Sequence, residues 1–279
     1  MGIRRNPWTE AYIARRIKEG RGQGEGRAYV PWTFVQEFSS KGTQSRIPSL
    51  TLGRTVHVMS NIERSMFLMH EYVGFEEYRE QFPIPREVTL GAAKALGIRH
   101  PVYPRTQVPV VMTIDALVWR RTPDGLVSLS AWDAKPARTL GNKRTLEKLS
   151  LHRAACHHWG ISHQVFTETS VSLNVKRNVE WLRSALPRHG ERLEALETQA
   201  RHRARILADL FARKPRQSTL KYCAEYDRKG GHEEGTALRA LKQLIHGRHL
   251  EVNLDTTNIT ALPVPIPDSP LLAEERRAD

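Results

Sequence analysis

Two strand-like segments, residues 110–119 and 126–135, lie on either side of a short turn near the middle of the chain. The first segment is apolar and rich in β-branched residues, which is typical of a buried strand rather than a helix. In the turn, Pro123 fixes its own φ and Gly125 can adopt the left-handed conformation, as a three-residue hairpin loop requires. The sequence therefore predicts an antiparallel hairpin built from these two segments.

The loop also predicts the register of the hairpin, because it pairs Thr122 with Leu126. Counting outward from that pair places Asp115 directly opposite Asp133. Side chains alternate between the two faces of a sheet along each strand, so Lys135 is expected on the same face as these two acids. The predicted hairpin thus brings two carboxylates and one ammonium group together.

Two carboxylates at cross-strand distance repel each other, and a divalent cation between them removes the conflict. Oxygen ligands without sulfur suit Mg²⁺ or Mn²⁺. Lys135 could then position or deprotonate an attacking water, or neutralise the charge that develops on a phosphate. The pattern predicts either a metal-dependent nuclease site or two solvent-facing acids that a lysine shields.

A further acidic residue, Glu63, lies at the start of a predicted helix. The helix is indicated by apolar residues at helical spacing, namely Ile62, Met66, Met69 and Val73. Ser60 and Glu63 match a capping box, in which the glutamate bonds to the backbone at the start of the helix. This pattern needs no active site, so Glu63 is predicted either as a cap or as a catalytic acid.

The order of these elements is a helix with Glu, a strand with Asp, a strand with Asp-x-Lys and then another helix. This is the order of the restriction-endonuclease-like core. The Ser-x-x-Glu helix at residues 60–67 and the Arg-Glu-Gln-Phe-Pro strand within residues 78–84 resemble the TnsA endonuclease subunit of heteromeric cut-and-paste transposases. The resemblance runs from about residue 60 to residue 167 and implies an α/β, restriction-endonuclease-like domain over residues 1–168.

The resemblance also implies site residues. The family's catalytic Glu, Asp and Lys fall on Glu63, Asp115 and Lys135. Asp133 matches the general nuclease Asp/Glu-x-Lys pattern and is predicted as a fourth catalytic residue. Glu63, Asp115 and Asp133 are expected to bind Mg²⁺, for which Mn²⁺ can substitute. The chain departs from the wider superfamily in lacking a proline before Asp115.

By resemblance, the protein is expected to hydrolyse the 5′ (non-transferred) strand at transposon ends. A separate TnsB-like transposase would cut and join the 3′ ends, and a TnsC-like ATPase regulator would be a second partner. Two other classes stay open at this stage. A stand-alone site-specific or structure-specific nuclease would use the same chemistry, and a non-catalytic DNA-binding adaptor would need none of the acids.

The charge of the chain agrees with a nucleic-acid partner. Lys and Arg number 43 against 30 Asp and Glu, a net charge of +13. Of this excess, +9 falls on residues 1–168 and +4 on the rest. A basic excess favours polyanions through steering and counterion release. The basic and aromatic arm at residues 4–46 is predicted either to lie along DNA or a partner subunit, or to be a solvated leader.

The segment after the predicted catalytic lysine offers two interpretations. Lys143, Arg144 and Lys148 are candidates for contacts with DNA phosphates near the scissile bond. The His-rich stretch that follows could instead form a zinc site from His152, Cys156, His157, His158 and His163. Cys156, however, falls on the apolar side of a helix, which favours a place in the core.

The chain has no apolar run of eighteen residues, and its N-terminus lacks the apolar region of a secretory signal. No membrane span is expected. Cys156 and Cys223 are predicted to be reduced thiols of a cytoplasmic protein. The length of 279 residues suffices for two hydrophobic cores.

Residues 169–279 predict a second domain that is mostly helical. Helices are expected over residues 172–186, up to about 213, over 218–227 and over 236–246, followed by a closing hairpin from 250 to 264. The first of these helices bridges the two domains, and the other three with the hairpin indicate a small winged-helix domain that binds DNA or a partner. In such folds the last helix commonly enters the major groove, which would offer Arg239 and Lys242 to DNA. The Pro-rich tail is expected to be extended.

Overall fold

The chain forms two compact units, one ending at Ser170 and the other beginning at Val171. The computed structural model describes residues 8–37, 43–188 and 190–267. The predicted boundary was between residues 168 and 169. Parts of the predicted basic arm, at residues 4–7 and 38–42, and the end of the Pro-rich tail lie outside the described residues.

The first unit is built around a mixed four-stranded sheet. Its helices and strands are α1 (Glu10–Lys18), β1 (Ser45–Ser49), β2 (Arg54–Val58), α2 (Asn61–Val73), β3 (Glu77–Pro83), α3 (Arg86–Leu96), β4 (Thr113–Arg121), β5 (Val127–Ala134), α4 (Lys143–His158) and β6 (Ser162–Phe166). The strands of the main sheet have the order β3-β4-β5-β6, and β1 pairs with β2 in a separate two-stranded sheet. Because β5 and β6 are parallel, α4 is the crossover that connects them.

The central hairpin has the predicted register. Ala116 pairs with Trp132 in the antiparallel ladder of β4 and β5. The Thr122 N–H donates to the Leu126 carbonyl at 2.8 Å, and Gly125 has a φ of 82°. The three-residue loop is therefore confirmed, although β4 begins three residues later than predicted.

The core of this unit lies where α3 and α4 meet the main sheet. Ile114 and Ala131 of the hairpin pack with Leu151 and Ala155 of α4, and all four are fully buried. Cys156 belongs to the same cluster, as predicted. Burying a side chain such as Leu151 contributes about 1.5–3 kcal/mol, so this packing fixes α4 and hence the histidines that it carries.

The second unit is helical, with α5 (Leu173–Arg183), α6 (Leu193–Arg213), α7 (Thr219–Gly230) and α8 (Thr236–His246). Four residues of α8 were predicted to face inward, and all four are buried: Ala237, Leu241, Leu244 and Ile245. No helix in the described part of the chain is long and apolar enough to cross a membrane.

The prediction of a closing hairpin over residues 250–264 is wrong. In the described part of this segment the structure has a 3-10 turn at Ile259–Ala261 and one isolated bridge between Ser218 and Pro263, but no paired strands. The side-chain amide of Asn178 donates to the carbonyls of Leu254, at 2.8 Å, and Thr256, at 2.7 Å. Because these backbone groups bond to a helix side chain instead of a neighbouring strand, no wing forms, and the winged-helix prediction is not confirmed.

Candidate active site

The ammonium group of Lys135 lies at the centre of the predicted charge cluster. Its Nζ is 2.7 Å from Oδ2 of Asp115 and 3.5 Å from Oδ1 of Asp133. Lys135 follows directly after β5, and its backbone N–H donates to the carbonyl of Phe166 at 2.9 Å, which extends the pairing with β6. The hairpin register thus brings together the three charged groups that the sequence placed on one face.

Asp115 is tied to the opposite strand by its side chain. Its Oδ2 accepts the backbone N–H of Ala134 at 2.8 Å, while the β4–β5 ladder ends at the pair Ala116 and Trp132. The carboxylate of Asp115 therefore accepts a backbone N–H of β5 just beyond the end of the main-chain ladder. Its side chain is 13% exposed, so it can reach a substrate without facing bulk solvent.

Glu63 forms the predicted capping box. Ser60 Oγ accepts the Glu63 N–H at 3.1 Å and donates to Oε1 at 3.0 Å, which is the capping arrangement. Oε2 accepts the backbone N–H of Met59 at 2.8 Å. Burial and the charge of the nearby Asp115 raise the pKa of Glu63 to about 7.

Gln81 belongs to the same site, although the sequence analysis gave it no role. Its side-chain amide donates to Oε2 of Glu63 at 3.3 Å, and its Oε1 accepts from the hydroxyl of Thr113 at 3.4 Å. Gln81 has a φ of 49°, a left-handed conformation that is rare for a residue with a Cβ. Such strain is concentrated at functional sites. The signal in the sequence was its place in the Arg-Glu-Gln-Phe-Pro motif.

Glu80, the neighbouring residue of that motif, has a structural role. It is 1% exposed, and both of its carboxylate oxygens accept from the guanidinium of Arg54 at 2.8 Å. Oε1 also accepts the backbone N–H of His57 at 3.0 Å. This bidentate pair joins β2 to β3 and fixes the strand that carries Gln81.

Asp133 is the most enclosed of the predicted site residues, with no exposed surface. Its Oδ2 accepts from Nδ1 of His152 at 2.6 Å and from Nε2 of His163 at 2.7 Å. Burial alone would raise the pKa of Asp133, but the charge of His152 and the hydrogen bonds from both rings hold it well below its usual range. Of the residues in the predicted zinc alternative, Cys156 lies in the core, whereas His152 and His163 meet at Asp133.

The pKa of Lys135 follows from the same cluster. Burial alone would lower it, whereas the charges of Asp115 and Asp133 and the hydrogen bond to Asp115 raise it above its usual value. Lys135 is therefore an ammonium group at neutral pH, which suits it to stabilising negative charge rather than to removing a proton.

The candidate DNA contacts on α4 differ in their surroundings. The side chains of Lys143 and Lys148 are exposed and make no hydrogen bond or ion pair with another side chain in the described ranges. Arg144 donates to Glu147 and to the carbonyl of Arg99, both at 2.7 Å. A cavity of about 520 Å³ at the start of the helix is lined by Arg138, Thr139, Asn142, Arg144, Thr145 and Lys148. Two of the three candidates are thus available to a ligand without losing an internal bond.

Both candidates on α8 are engaged within the second unit. The guanidinium of Arg239 pairs with Glu191 at 2.6 Å. Lys242 is buried, donates to the hydroxyl of Ser184 at 2.7 Å and lies 4.3 Å above the ring of Trp181. Binding to DNA would require each of these side chains to leave its present partners.

A mixed sheet with acidic side chains and a lysine around adjacent strands suits the hydrolysis of a phosphodiester. The family described as TnsA-like endonuclease N terminal matches residues 75–168. The family described as TnsA endonuclease C terminal matches residues 172–254. The protein is therefore an endonuclease in class. Asp115, Asp133 and Lys135 lie within the N-terminal match, and Glu63 precedes it.

The relationship extends over nearly the whole chain. The transposon Tn7 transposition protein TnsA of Escherichia coli is 35% identical over 248 residues, which cover 88% of this chain and 87% of that protein. The chain belongs to the TnsA family and is a TnsA-type endonuclease subunit of a transposase. The resemblance found in the sequence motifs is confirmed.

Proposed function

We propose that this protein cleaves the 5′ (non-transferred) DNA strand at transposon ends by Mg²⁺-dependent hydrolysis, in the cytoplasm and as part of a cut-and-paste transposase. The observation that carries the proposal is the convergence of Asp115, Lys135 and Glu63. The ammonium of Lys135 lies 2.7 Å from the carboxylate of Asp115, and burial together with the charge of Asp115 raises the pKa of Glu63. Acids crowded around a lysine suit phosphodiester hydrolysis.

The residues present fit a hard divalent cation. Glu63 and Asp115 offer carboxylate oxygens. Burial and the charge of Asp115 raise the pKa of Glu63, and a bound cation would offset both effects. Oδ1 of Asp133 faces Lys135, and we propose that Asp133 binds the cation as a third ligand through this oxygen. When bound, Mg²⁺ supplies an electrophile for the phosphate oxygens and lowers the pKa of a bound water.

The side chains of the protein have separate parts in the proposed reaction. Lys135 stays an ammonium group between two acids and stabilises the charge that develops on the phosphate. Asp115 orients this ammonium through the 2.7 Å contact. Glu63 is held by its cap, and Gln81 donates to the same carboxylate. These contacts preorganise the acid before DNA arrives.

DNA is expected to approach along the start of α4. Lys143 and Lys148 are exposed cations that can bind phosphates as they stand, and Arg144 would bind after exchanging an internal partner. Each phosphate contact made by such a residue contributes a salt-dependent part of the affinity. Arg239 and Lys242 remain secondary candidates, because both are already bonded.

The partners in this proposal are a TnsB-like transposase, which would process the 3′ ends, and a TnsC-like ATPase regulator. The membership of the chain in the TnsA family supports this assignment, as does the second unit that matches the C-terminal family. We expect the isolated protein to cleave poorly, because assembly with partners licenses the reaction.

The first experiment is a strand-specific cleavage assay on transposon-end DNA with Mg²⁺, with and without the TnsB-like partner of the same transposon. The wild-type chain and Asp115→Asn are compared, since this variant keeps the size of the side chain and removes its charge. We expect partner-dependent nicking of the 5′ strand that the variant lacks.

Other outcomes would contradict parts of the proposal. Robust cleavage without the partner would indicate a stand-alone nuclease. Equal behaviour of the two proteins would indicate a DNA-binding adaptor in which the acids do no chemistry. Circular dichroism of both proteins controls for unfolding of the variant.

A further inference from the structure

Asp133 is held by two imidazole rings from different elements. His152 belongs to α4 and His163 to β6, yet both rings meet the same oxygen, Oδ2, at 2.6 and 2.7 Å. The side chains of His163 and His152 are 1% and 8% exposed. Two elements of the fold therefore place ring nitrogens on one carboxylate oxygen of a third element, β5, and this oxygen has no access to solvent.

The second oxygen of Asp133 faces the proposed catalytic lysine. Oδ1 is 3.5 Å from Nζ of Lys135, whereas Oδ2 of Asp115 is 2.7 Å from the same Nζ. The two acids thus compete for one ammonium group, and the shorter contact is with Asp115. A buried anion without hydrogen-bond donors is unfavourable. The acid that has fewer other donors is therefore expected to attract the ammonium of Lys135 more strongly.

The two histidines affect this competition because they provide Asp133 with other hydrogen-bond donors. With two N–H donors on Oδ2, Asp133 is already compensated and leaves Lys135 beside Asp115. Without them, Lys135 would be the cation nearest to a fully buried carboxylate, and the 3.5 Å contact would be expected to shorten at the expense of Asp115.

A metal ion is the other occupant that Asp133, His152 and His163 suit, since their ligand atoms lie within 4.8 Å of one another. The distances favour hydrogen bonds instead. The two ring nitrogens lie 2.6 and 2.7 Å from Oδ2 of Asp133, close enough for each ring N–H to donate directly to that oxygen.

We propose that His152 and His163 are positioning residues for Lys135: by donating to Oδ2 of Asp133, they keep that acid from drawing the ammonium away from Asp115. This inference rests on the proposed nuclease function for its consequence in catalysis. The geometry of the network can be tested without it.

The kinetic test uses substitutions that keep or remove the N–H. His152→Asn and His163→Gln place an amide N–H near the position of the donating ring nitrogen, whereas His152→Leu and His163→Leu have none. In the reconstituted 5′-strand cleavage reaction, the leucine variants are expected to lose about 10- to 100-fold in kcat, with the KM for DNA unchanged. The amide variants should stay within about threefold of wild type, as should His157→Leu, which alters an exposed histidine of the same helix.

A second comparison tests whether the rings act through Asp133. The readout is the nitrogen-15 signal of Lys135 Nζ, because Asp133→Asn itself removes a proposed metal ligand. In an Asp133→Asn background, His163→Leu should leave this signal unchanged, because residues that act as one unit are not additive. Equal shifts of the signal in both backgrounds would overturn the proposal. So would leucine and amide variants that are equally impaired, since a purely steric role predicts that result.

Spectroscopy separates this proposal from the proposed function. In nitrogen-15 spectra of the full chain, we expect a proton on Nδ1 of His152 and on Nε2 of His163. The Nζ signal of Lys135 should shift in His163→Leu but not in His163→Gln. Co²⁺ absorption bands that disappear in His163→Gln and persist in Asp115→Asn would reveal a metal site and overturn the proposal. If the wild-type protein cuts no DNA, the proposed function fails. These spectra would still show whether His152 and His163 donate to Asp133 and whether they affect Lys135.

Discussion

The ammonium of Lys135 lies 2.7 Å from Oδ2 of Asp115, although the two residues belong to opposite sides of a hairpin and are twenty positions apart. The same carboxylate oxygen accepts the backbone N–H of Ala134. This one oxygen therefore couples the position of the lysine to the register of the strands. A substitution at Asp115 or Lys135 should reduce cleavage more than it reduces stability.

Lys135→Met is expected to reduce 5′-strand cleavage by at least about 100-fold, because it removes a preorganised positive charge from the site. The affinity for transposon-end DNA should change little, since the side chain is only 28% exposed. Single-turnover cleavage and a filter-binding assay measure the two effects. Lys94→Met, at an exposed position of α3, is the matched control.

Glu63→Gln should make the stability of the protein less sensitive to pH. The pKa of Glu63 is raised from near 4.5 to about 7, so its contribution to stability is full below about pH 4.5 and is lost as the pH rises through 7. In EDTA, the variant should gain about 1–3 kcal/mol relative to wild type between pH 5 and pH 8.

Urea unfolding of both proteins at the two pH values measures this difference. Adding Mg²⁺ at pH 8 should stabilise wild type but not Glu63→Gln, because the cation binds the charged carboxylate. A pH-independent difference between the two proteins would contradict the raised pKa of Glu63.

Gln81→Gly and Gln81→Ala should differ in stability despite removing the same amide. The φ of 49° at this position disfavours any residue with a Cβ, so the glycine variant is expected to be the more stable by up to about 1 kcal/mol. Both variants lose the hydrogen bond to Glu63 and should cleave DNA more slowly. An alanine variant that is clearly more stable than the glycine variant would argue against backbone strain.

Arg54→Met should be among the most destabilising single substitutions in the first unit. It leaves Glu80 buried without its partner, which typically costs about 3–5 kcal/mol. The double variant Arg54→Met with Glu80→Met should lose less than Arg54→Met alone. Chemical denaturation measures all three proteins, and Arg121→Met, in the exposed pair with Glu76, should cost less than about 1 kcal/mol.

Lys143→Ala combined with Lys148→Ala should weaken DNA binding and its dependence on salt. If each lysine contacts one phosphate, the slope of log K against log salt should become shallower by about 1.8. Fluorescence anisotropy from 50 to 200 mM salt gives this slope. An unchanged slope would place the DNA elsewhere on the protein.

The central hairpin was predictable because its causes are local. Pro123 and Gly125 specify a three-residue loop, and the loop specifies the register that brings Asp115 opposite Asp133. The bounds of α8 were equally predictable, since a periodic apolar face starts near Thr236 and stops before a glycine. In both cases the information lies within a few residues of the feature that it predicts.

The second unit shows where local patterns fail. Alternating apolar residues after α8 are typical of a strand, but the backbone there bonds to Asn178, some 76 positions earlier in the chain. A strand forms only when a partner strand is available, and that is a property of the whole unit.

The charged residues of the candidate site and their shared face were thus contained in the sequence, because alternation along strands and loop geometry are properties of short segments. Only the tertiary structure decided how those charges are balanced. His152 and His163 reach Asp133 from elements 19 and 30 positions away, and Gln81 meets Glu63 only when β3 lies beside α2. Such contacts depend on how the helices pack against the sheet, and no spacing within one segment encodes them.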